Sequence, residues 1–211
     1  MSKVYTNILN KDQLKIWEEL SNFRDVGLLG GGTALALQIN HRISYDFDVF
    51  SQNDIKKELL LKVANIFGES SVKPLIDNPD ELSCEINSIK ITFLYFPFKP
   101  LFKGIRTSSL ALFSIKDIAA NKAYAIGRRG TWRDYYDIYT ILKNKYLSLE
   151  DLMELTEKKF KNIFNSKLFL EQLTYYKDIS DFSIETKNSD PVSAIDIQKY
   201  LEGAVRNFLG L

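Results

Sequence analysis

Two acids alternate with apolar residues in Asp46-Phe47-Asp48-Val49-Phe50. On a strand, side chains alternate between faces, so both carboxylates would project from one face, about 6.6 Å apart along it. Like charges held that close repel. A hard, oxygen-seeking cation such as Mg²⁺ or Mn²⁺ relieves the repulsion, which makes Asp46 and Asp48 candidate metal ligands. Two solvated acids on an exposed strand would show the same spacing. A short distance upstream, Gly31-Gly32-Thr33 leads into Ala34-Leu35-Ala36-Leu37-Gln38, a stretch of helix-forming composition. Backbone N–H groups and a hydroxyl at a helix N-terminus favour a triphosphate, through unpaired donors and the helix dipole. Alone, the glycines fit a ligand-free tight turn equally well. Arg42 and Ser44, just ahead of the acids, are further candidate phosphate contacts.

The second half of the chain holds another group. Ile115, Ile118, Ala119, Lys122 and Ile126 fall on one helical face, so Lys122 lies within an apolar stripe and needs an anionic partner unless it snorkels to solvent. As a functional residue it would meet phosphate as a compact point charge. Asp134 and Asp137, three apart, share a face of the following helix, and Arg133 and Asp137 can pair at i,i+4. Asp134 suits the first turn of that helix, where an acid complements the dipole without any chemistry. Arg128, Arg129, Arg133, Lys143 and Lys145 join Lys122 in a locally basic stretch. Such a stretch can bind a triphosphate or an RNA backbone, although it more often marks a solvated face.

The elements that must position these residues follow from periodicity. Residues 11–23 read as an amphipathic helix, 26–29 as a short buried strand, 46–50 as a strand and 54–67 as a helix. Glu81–Ile86 and Ile89–Phe96 flank Asn87-Ser88 as a tight hairpin, and Pro97 and Pro100 close the sheet-forming half. From Ser114 the pattern is helical, with Ser114…Asp117 and Ser148…Asp151 as capping boxes and further helices over 131–145, 148–164, 166–176 and 191–208. Residues 178–190 read as a polar connection.

The chain has 211 residues, of which 45% are hydrophobic, so it can build a core without staples. The one cysteine, Cys84, and the absence of an apolar leader or spanning run predict a cytoplasmic protein with no membrane association. A net charge of +1 excludes a global field for nucleic acid, and one histidine, His41, excludes multi-histidine metal sites.

GGGTALALQINHRISYDFDVF resembles the Gly-Gly-Thr-Ala-Leu, His-Arg-x-Ser and Asp-x-Asp motifs of the AbiEii/AbiGii toxin family, minimal nucleotidyltransferases of the polymerase-β-like superfamily. SIKDIAANKAYAIGRRGTWRDYYDIYTIL is similar to that family's later motif, and together the two cover about residues 26–145 in the recognised order. The resemblance implies an α+β fold of polymerase-β-like type: a small mixed sheet with flanking helices over 1–113, then a helical region over 114–211 that completes the active-site cleft. It implies an enzyme that moves a nucleotide from an NTP to an acceptor hydroxyl. Asp46 and Asp48 would hold Mg²⁺ or Mn²⁺, with Gly31, Gly32, Thr33, Arg42, Ser44, Arg129 and Arg133 on nucleotide phosphates and Lys122 and Asp137 catalytic. It further implies a toxin of a toxin–antitoxin or phage-defence system, with tRNA or another RNA as acceptor and a cognate antitoxin as partner. One departure stands out, because the superfamily's third metal-binding carboxylate has no counterpart in Lys90–Tyr95, and Glu85 would reach the acids only if the hairpin curls. A non-catalytic nucleotide-binding module and a transferase acting on a small, antibiotic-type molecule are the two rival expectations.

Overall fold

In the computed structural model the described residues are 4–187 and 192–211, and the side chain of Arg129 lies outside them. The chain divides into two compact units, Met1–Ser114 and Ile115–Leu211.

The first unit opens with α1 (Lys11–Glu19), started by a capping box in which Asn10 accepts from the Asp12 and Gln13 amides and the Gln13 side chain accepts from the Asn10 amide. A 3-10 turn, Leu20–Phe23, ends the element, and Ile16, Trp17, Leu20 and Phe23 are buried along it. Then come β1 (Leu28–Leu29), α2 (Gly31–Ile39), β2 (Phe47–Ser51), α3 (Glu58–Phe67), β3 (Val72–Asp77), β4 (Glu81–Ile86) and β5 (Ile89–Tyr95). The strands form a single sheet in the order β1-β2-β5-β4-β3. β2 and β5 run parallel and the other neighbours antiparallel, so the sheet is mixed as expected.

Alternation along the strands decides which face is core. Phe47 and Val49 of β2, Ile91 and Phe93 of β5, and Leu82, Cys84 and Ile86 of β4 are all buried. Each large apolar side chain so buried contributes about 1.5–3 kcal/mol. Burial also pushes the Cys84 thiol up to about 11, which leaves it protonated and unreactive at neutral pH. Asn87 and Ser88 both take positive φ, 50° and 65°, as a two-residue hairpin turn requires.

The elements differ from the periodicity at several points, among them β2, which starts at Phe47 rather than at 46 and leaves Asp46 just ahead of the strand. α3 starts at Glu58 rather than at 54. α2 begins at the glycines themselves, because Gly30 is its N-cap and the first helical bond runs from the Ala34 amide to the Gly30 carbonyl, 3.2 Å. β3 has no counterpart among the expected strands: it is an edge strand, largely exposed, containing Pro74 and a register shift between Pro74 and Ile76. It therefore lacks the one-sided alternation that marks a half-buried strand.

The second unit comprises α4 (Ile115–Arg129), α5 (Trp132–Lys143), α6 (Leu149–Phe160), α7 (Ser166–Leu173) and α8 (Ala194–Leu209). Ser148 and Asp151 form the expected capping box of α6, while the stretch beyond Phe160 is a 3-10 turn rather than more helix. The expected helix start at 191, and the end of the polar connection before it, fall at 188–191, outside the described residues. Asp117, expected as a capping acid, lies in the first turn of α4 and forms a buried ion pair. Its carboxylate accepts from Lys159 Nζ of α6 at 2.8 Å, and both side chains are 0% exposed. Burial pulls the Lys159 ammonium below its ordinary value, against the opposing hydrogen bond and charge of Asp117. No described helix is long and apolar enough to cross a membrane.

Candidate active site

Asp48 sits where the alternation places it: Phe47, Val49 and Ser51 are buried in the core face and Asp48 is half-buried on the other, while Asp46 is exposed and immediately precedes the strand. Two stitches bind this strand to the glycine segment. The Gly30 amide donates to the Asp48 carbonyl at 2.9 Å, and the Thr33 hydroxyl donates to the Asp46 carbonyl. The hydroxyl of Thr33 is thereby engaged with the backbone, and what this residue offers a ligand is its amide. A third support comes from α1: the buried Gln13 side chain donates to the Ser44 and Tyr45 carbonyls at 2.7 and 3.1 Å, fixing the approach to Asp46. Nothing in the sequence marks Gln13 for this role beyond its place in the capping box.

The three glycines are explained by what crowds them. Gly31 has φ +65°, a left-handed conformation that an L side chain adopts only at a cost, and a Cβ there would lie 2.6 Å from Asp48 Oδ2. A Cβ on Gly32 would run into the guanidinium of Arg42 and stand 3.0 Å from the Ser44 hydroxyl. On Gly30 it would meet the rings of Phe50 and Phe113. The Asp48 carboxylate, the Arg42 guanidinium and the Ser44 hydroxyl therefore all reach the N-terminus of α2. The amides of Gly31, Gly32 and Thr33 occupy the first turn, where no intrahelical acceptor exists. Arg42 itself is buried and donates to the Ile43 carbonyl at 2.9 Å.

This arrangement brings anion donors and a pair of acids to one place. Asp46 and Asp48 could supply hard oxygen ligands to a metal–triphosphate, and the Asp48 carboxylate lies next to Gly31 at the first turn of α2. No group of three or more His, Cys, Asp or Glu suited to a metal occurs among the described residues. Glu85 shares the face of the acids but stands on β4, with β5 between, because Glu85 pairs with Lys90 and Phe47 with Ile91. A cavity of about 590 Å³ elsewhere in this unit, lined by Asp25, Ser51, Asn53 and Lys62 among others, contains none of these residues.

In the helical unit Lys122 has the anionic partners its position calls for. Its Nζ lies 2.8 Å from Asp134 Oδ1 and 2.6 Å from Asp137 Oδ2, with Asp137 fully buried. Asp134 has a double role that the sequence showed only in half. Its Oδ2 accepts from the amide and hydroxyl of Thr131, at 3.0 Å each, capping α5, while Oδ1 holds Lys122. Burial pushes the Asp134 carboxyl up, but the charge and hydrogen bond of Lys122 and the Thr131 amide outweigh it and hold it below the ordinary carboxylate range. Of the basic stretch, Arg128 lies over the Tyr124 ring at 4.4 Å, and Tyr124 is stacked on Phe160. Lys143 lies over Tyr200 at 5.1 Å. Arg133 lines a cavity of about 360 Å³ with Trp132, Asp178 and Asp181. The candidate side chain of Arg129 is outside the described residues.

Comparison with known proteins shows the family and the fold. A protein-family profile described as nucleotidyl transferase AbiEii toxin, type IV TA system, matches residues 15–208. An uncharacterized protein of Aquifex aeolicus, aq_aa25, is 32% identical over 152 residues, which is 71% of this chain and 73% of that one. Two solved structures share the fold at low identity. The nucleotidyltransferase toxin MenT4 of Mycobacterium tuberculosis superposes with a TM-score of 0.62 at 14% identity, over 94% of this chain and 83% of that one. JHP933 of Helicobacter pylori does so with a TM-score of 0.53 at 17% identity, over 98% of each. The fold is thus the mixed α+β architecture of nucleotidyltransferases.

Proposed function

This chain belongs to the AbiEii family of nucleotidyltransferase toxins from type IV toxin–antitoxin systems, and from that premise we propose that it transfers a nucleotide from an NTP to an acceptor hydroxyl at Asp46, Asp48 and the N-terminus of α2. The observation that carries this reading is the contact of Asp48 with the glycine turn, where any side chain on Gly31 would collide with its carboxylate. The amides of Gly31, Gly32 and Thr33, with Arg42 and Ser44, bind and orient the triphosphate, and Asp46 and Asp48 would hold Mg²⁺ or Mn²⁺. When bound, the ion supplies Lewis-acid stabilisation of charge developing on the phosphate oxygens. The acceptor hydroxyl attacks the α-phosphorus in line, the P–O bond to the β-phosphate breaks, and pyrophosphate leaves. In the helical unit, Lys122 is assigned to phosphate oxygens, and Asp137 to positioning Lys122 or taking the proton of the attacking hydroxyl. Arg129 and Arg133 are assigned to phosphate contacts. The acceptor is proposed to be tRNA or another RNA, the compartment the cytoplasm, and the partner a cognate antitoxin protein.

A second reading is favoured by the small number of carboxylates: a module that binds nucleotide without turnover. Incubation with each α-³²P-labelled NTP, Mg²⁺ and total RNA separates the two. Label in RNA that disappears with Asp46→Asn supports transfer at this site. Binding without incorporation into RNA or any small molecule supports the module, and full incorporation by Asp46→Asn would remove this acid from the mechanism.

A further inference from the structure

The neighbours of the two acids across the sheet are fixed by register. β2 is flanked by β1 and β5, whose backbones lie one strand spacing away, about 4.8 Å. On the β1 side, Leu28 pairs with Phe50 and Leu29 with Val49, so the residue beside Asp48 is Gly30, which has no side chain. On the β5 side Asp48 pairs with Thr92. Continued one residue beyond the start of β2, the same register sets Lys90 beside Asp46, which immediately precedes the strand. Cross-strand partners share a face, so the side chains bordering the acid pair are a hydroxyl and an ammonium, and neither is a carboxylate.

The two neighbours differ in their surroundings. Thr92 is buried and its hydroxyl meets that of Ser83 at 3.3 Å, with Ser83 in turn donating to Glu81. This row is occupied by its own hydrogen bonds. Lys90 is exposed, takes part in no ion pair of the described residues, and stands between Asp46 on one side and Glu85, its partner on β4, on the other. A lysine placed one strand from a metal-binding acid has two effects. It disfavours a second divalent ion on that side, and its exposed ammonium carries a positive charge with three donors that can be turned to a phosphate.

We infer that Lys90 takes the place of a second metal ion: the site accepts one divalent cation, between Asp46 and Asp48, and the ammonium of Lys90 supplies the remaining positive charge to the phosphates from the β5 side. The inference rests on the nucleotidyltransferase reading above, and its test separates the failure of one from the failure of the other.

The test is a stoichiometry and needs no turnover. The full chain is dialysed to equilibrium against Mn²⁺ and an equimolar mixture of the four α,β-methylene ribonucleoside triphosphates, and protein-bound Mn²⁺ and nucleotide are both counted, the former by electron paramagnetic resonance. One Mn²⁺ per bound nucleotide is expected. Two would overturn the inference while leaving the nucleotide site standing. Nucleotide and Mn²⁺ both failing to bind would overturn the reading beneath it and this inference together. Lys90→Asp, an exposed substitution, should raise the ratio from one to two by placing a carboxylate beside Asp46. A ratio that stays at one in Lys90→Asp, and in the longer Lys90→Glu should the first variant unfold, would show that Lys90 does not address the site.

Discussion

Gly31→Ala puts the site under a defined strain. The residue has φ +65°, so an L side chain costs about 1–2 kcal/mol through backbone conformation alone. At about 2–4 °C per kcal/mol for a chain of this size, Tm should fall by about 2–8 °C. The new Cβ would also lie 2.6 Å from Asp48 Oδ2, whereas real Cβ contacts essentially never come under 3.0 Å, so the carboxylate must retreat by at least about 0.4 Å. Misplacement of a catalytic group by 1 Å can cost about a hundredfold, which sets an expected loss in kcat/KM of about 10- to 100-fold, or about 1.4–2.7 kcal/mol in the barrier. Gly68→Ala separates the two effects. Gly68 has φ +88°, but its Cβ would meet only the Ser71 hydroxyl at 3.8 Å. Both variants should lose similar stability by thermal melts followed by circular dichroism, and Gly31→Ala alone should lose incorporation of label from α-³²P-NTP. Equal activity in the two variants at a temperature where both are folded would refute the coupling of Asp48 to the glycine turn.

Three other outcomes follow from the helical unit. Lys159→Met removes the cation paired with a fully buried Asp117 and should cost about 3–5 kcal/mol, whereas Asp117→Leu combined with Lys159→Met should return to within about 1 kcal/mol of the parent, both by denaturant melts. The carboxyl of Asp134 is held below its unfolded value, so its contribution is complete at neutral pH and disappears as pH falls through the folded value. Asp134→Asn should therefore be less stable than the parent at about pH 7 and should lose less stability between about pH 6 and pH 3 in an acid titration. Lys122→Met leaves Asp137 buried without its cation at 2.6 Å and should destabilise by about 3–5 kcal/mol, while Lys122→Arg, which keeps the charge, should recover part of that loss in the same melts.

The legible parts of the site were those whose spacing is local. Alternation places Asp48 opposite the core face of β2, and helical periodicity puts Lys122 in an apolar stripe, where it either meets an acid or snorkels to solvent. What needed the folded chain was pairing at a distance. Asp117 and Lys159 are 42 residues apart, and nothing in the sequence links them. Gln13 reaches the Ser44 carbonyl across 31 residues. Asp134 looked like a helix-start acid because its cap is local, while its hold on Lys122 depends on how α4 and α5 pack. Glycine's low helix propensity made residues 31–32 read as a turn, although they are the first turn of α2, where crowding by Asp48 and Arg42 leaves no space for a side chain. β3 gave no periodic signal because both its faces meet solvent.

That last strand also determines where the sheet stops. An uncovered edge with free amides and carbonyls is a template for a neighbouring chain, and at high protein concentration such templates seed aggregates. In Val72–Asp77, Pro74 contributes no amide and the register slips immediately after it. A second molecule approaching this border finds a gap in the ladder and a bent backbone, so growth of the sheet beyond five strands is discouraged by the terminal strand's own covalent structure.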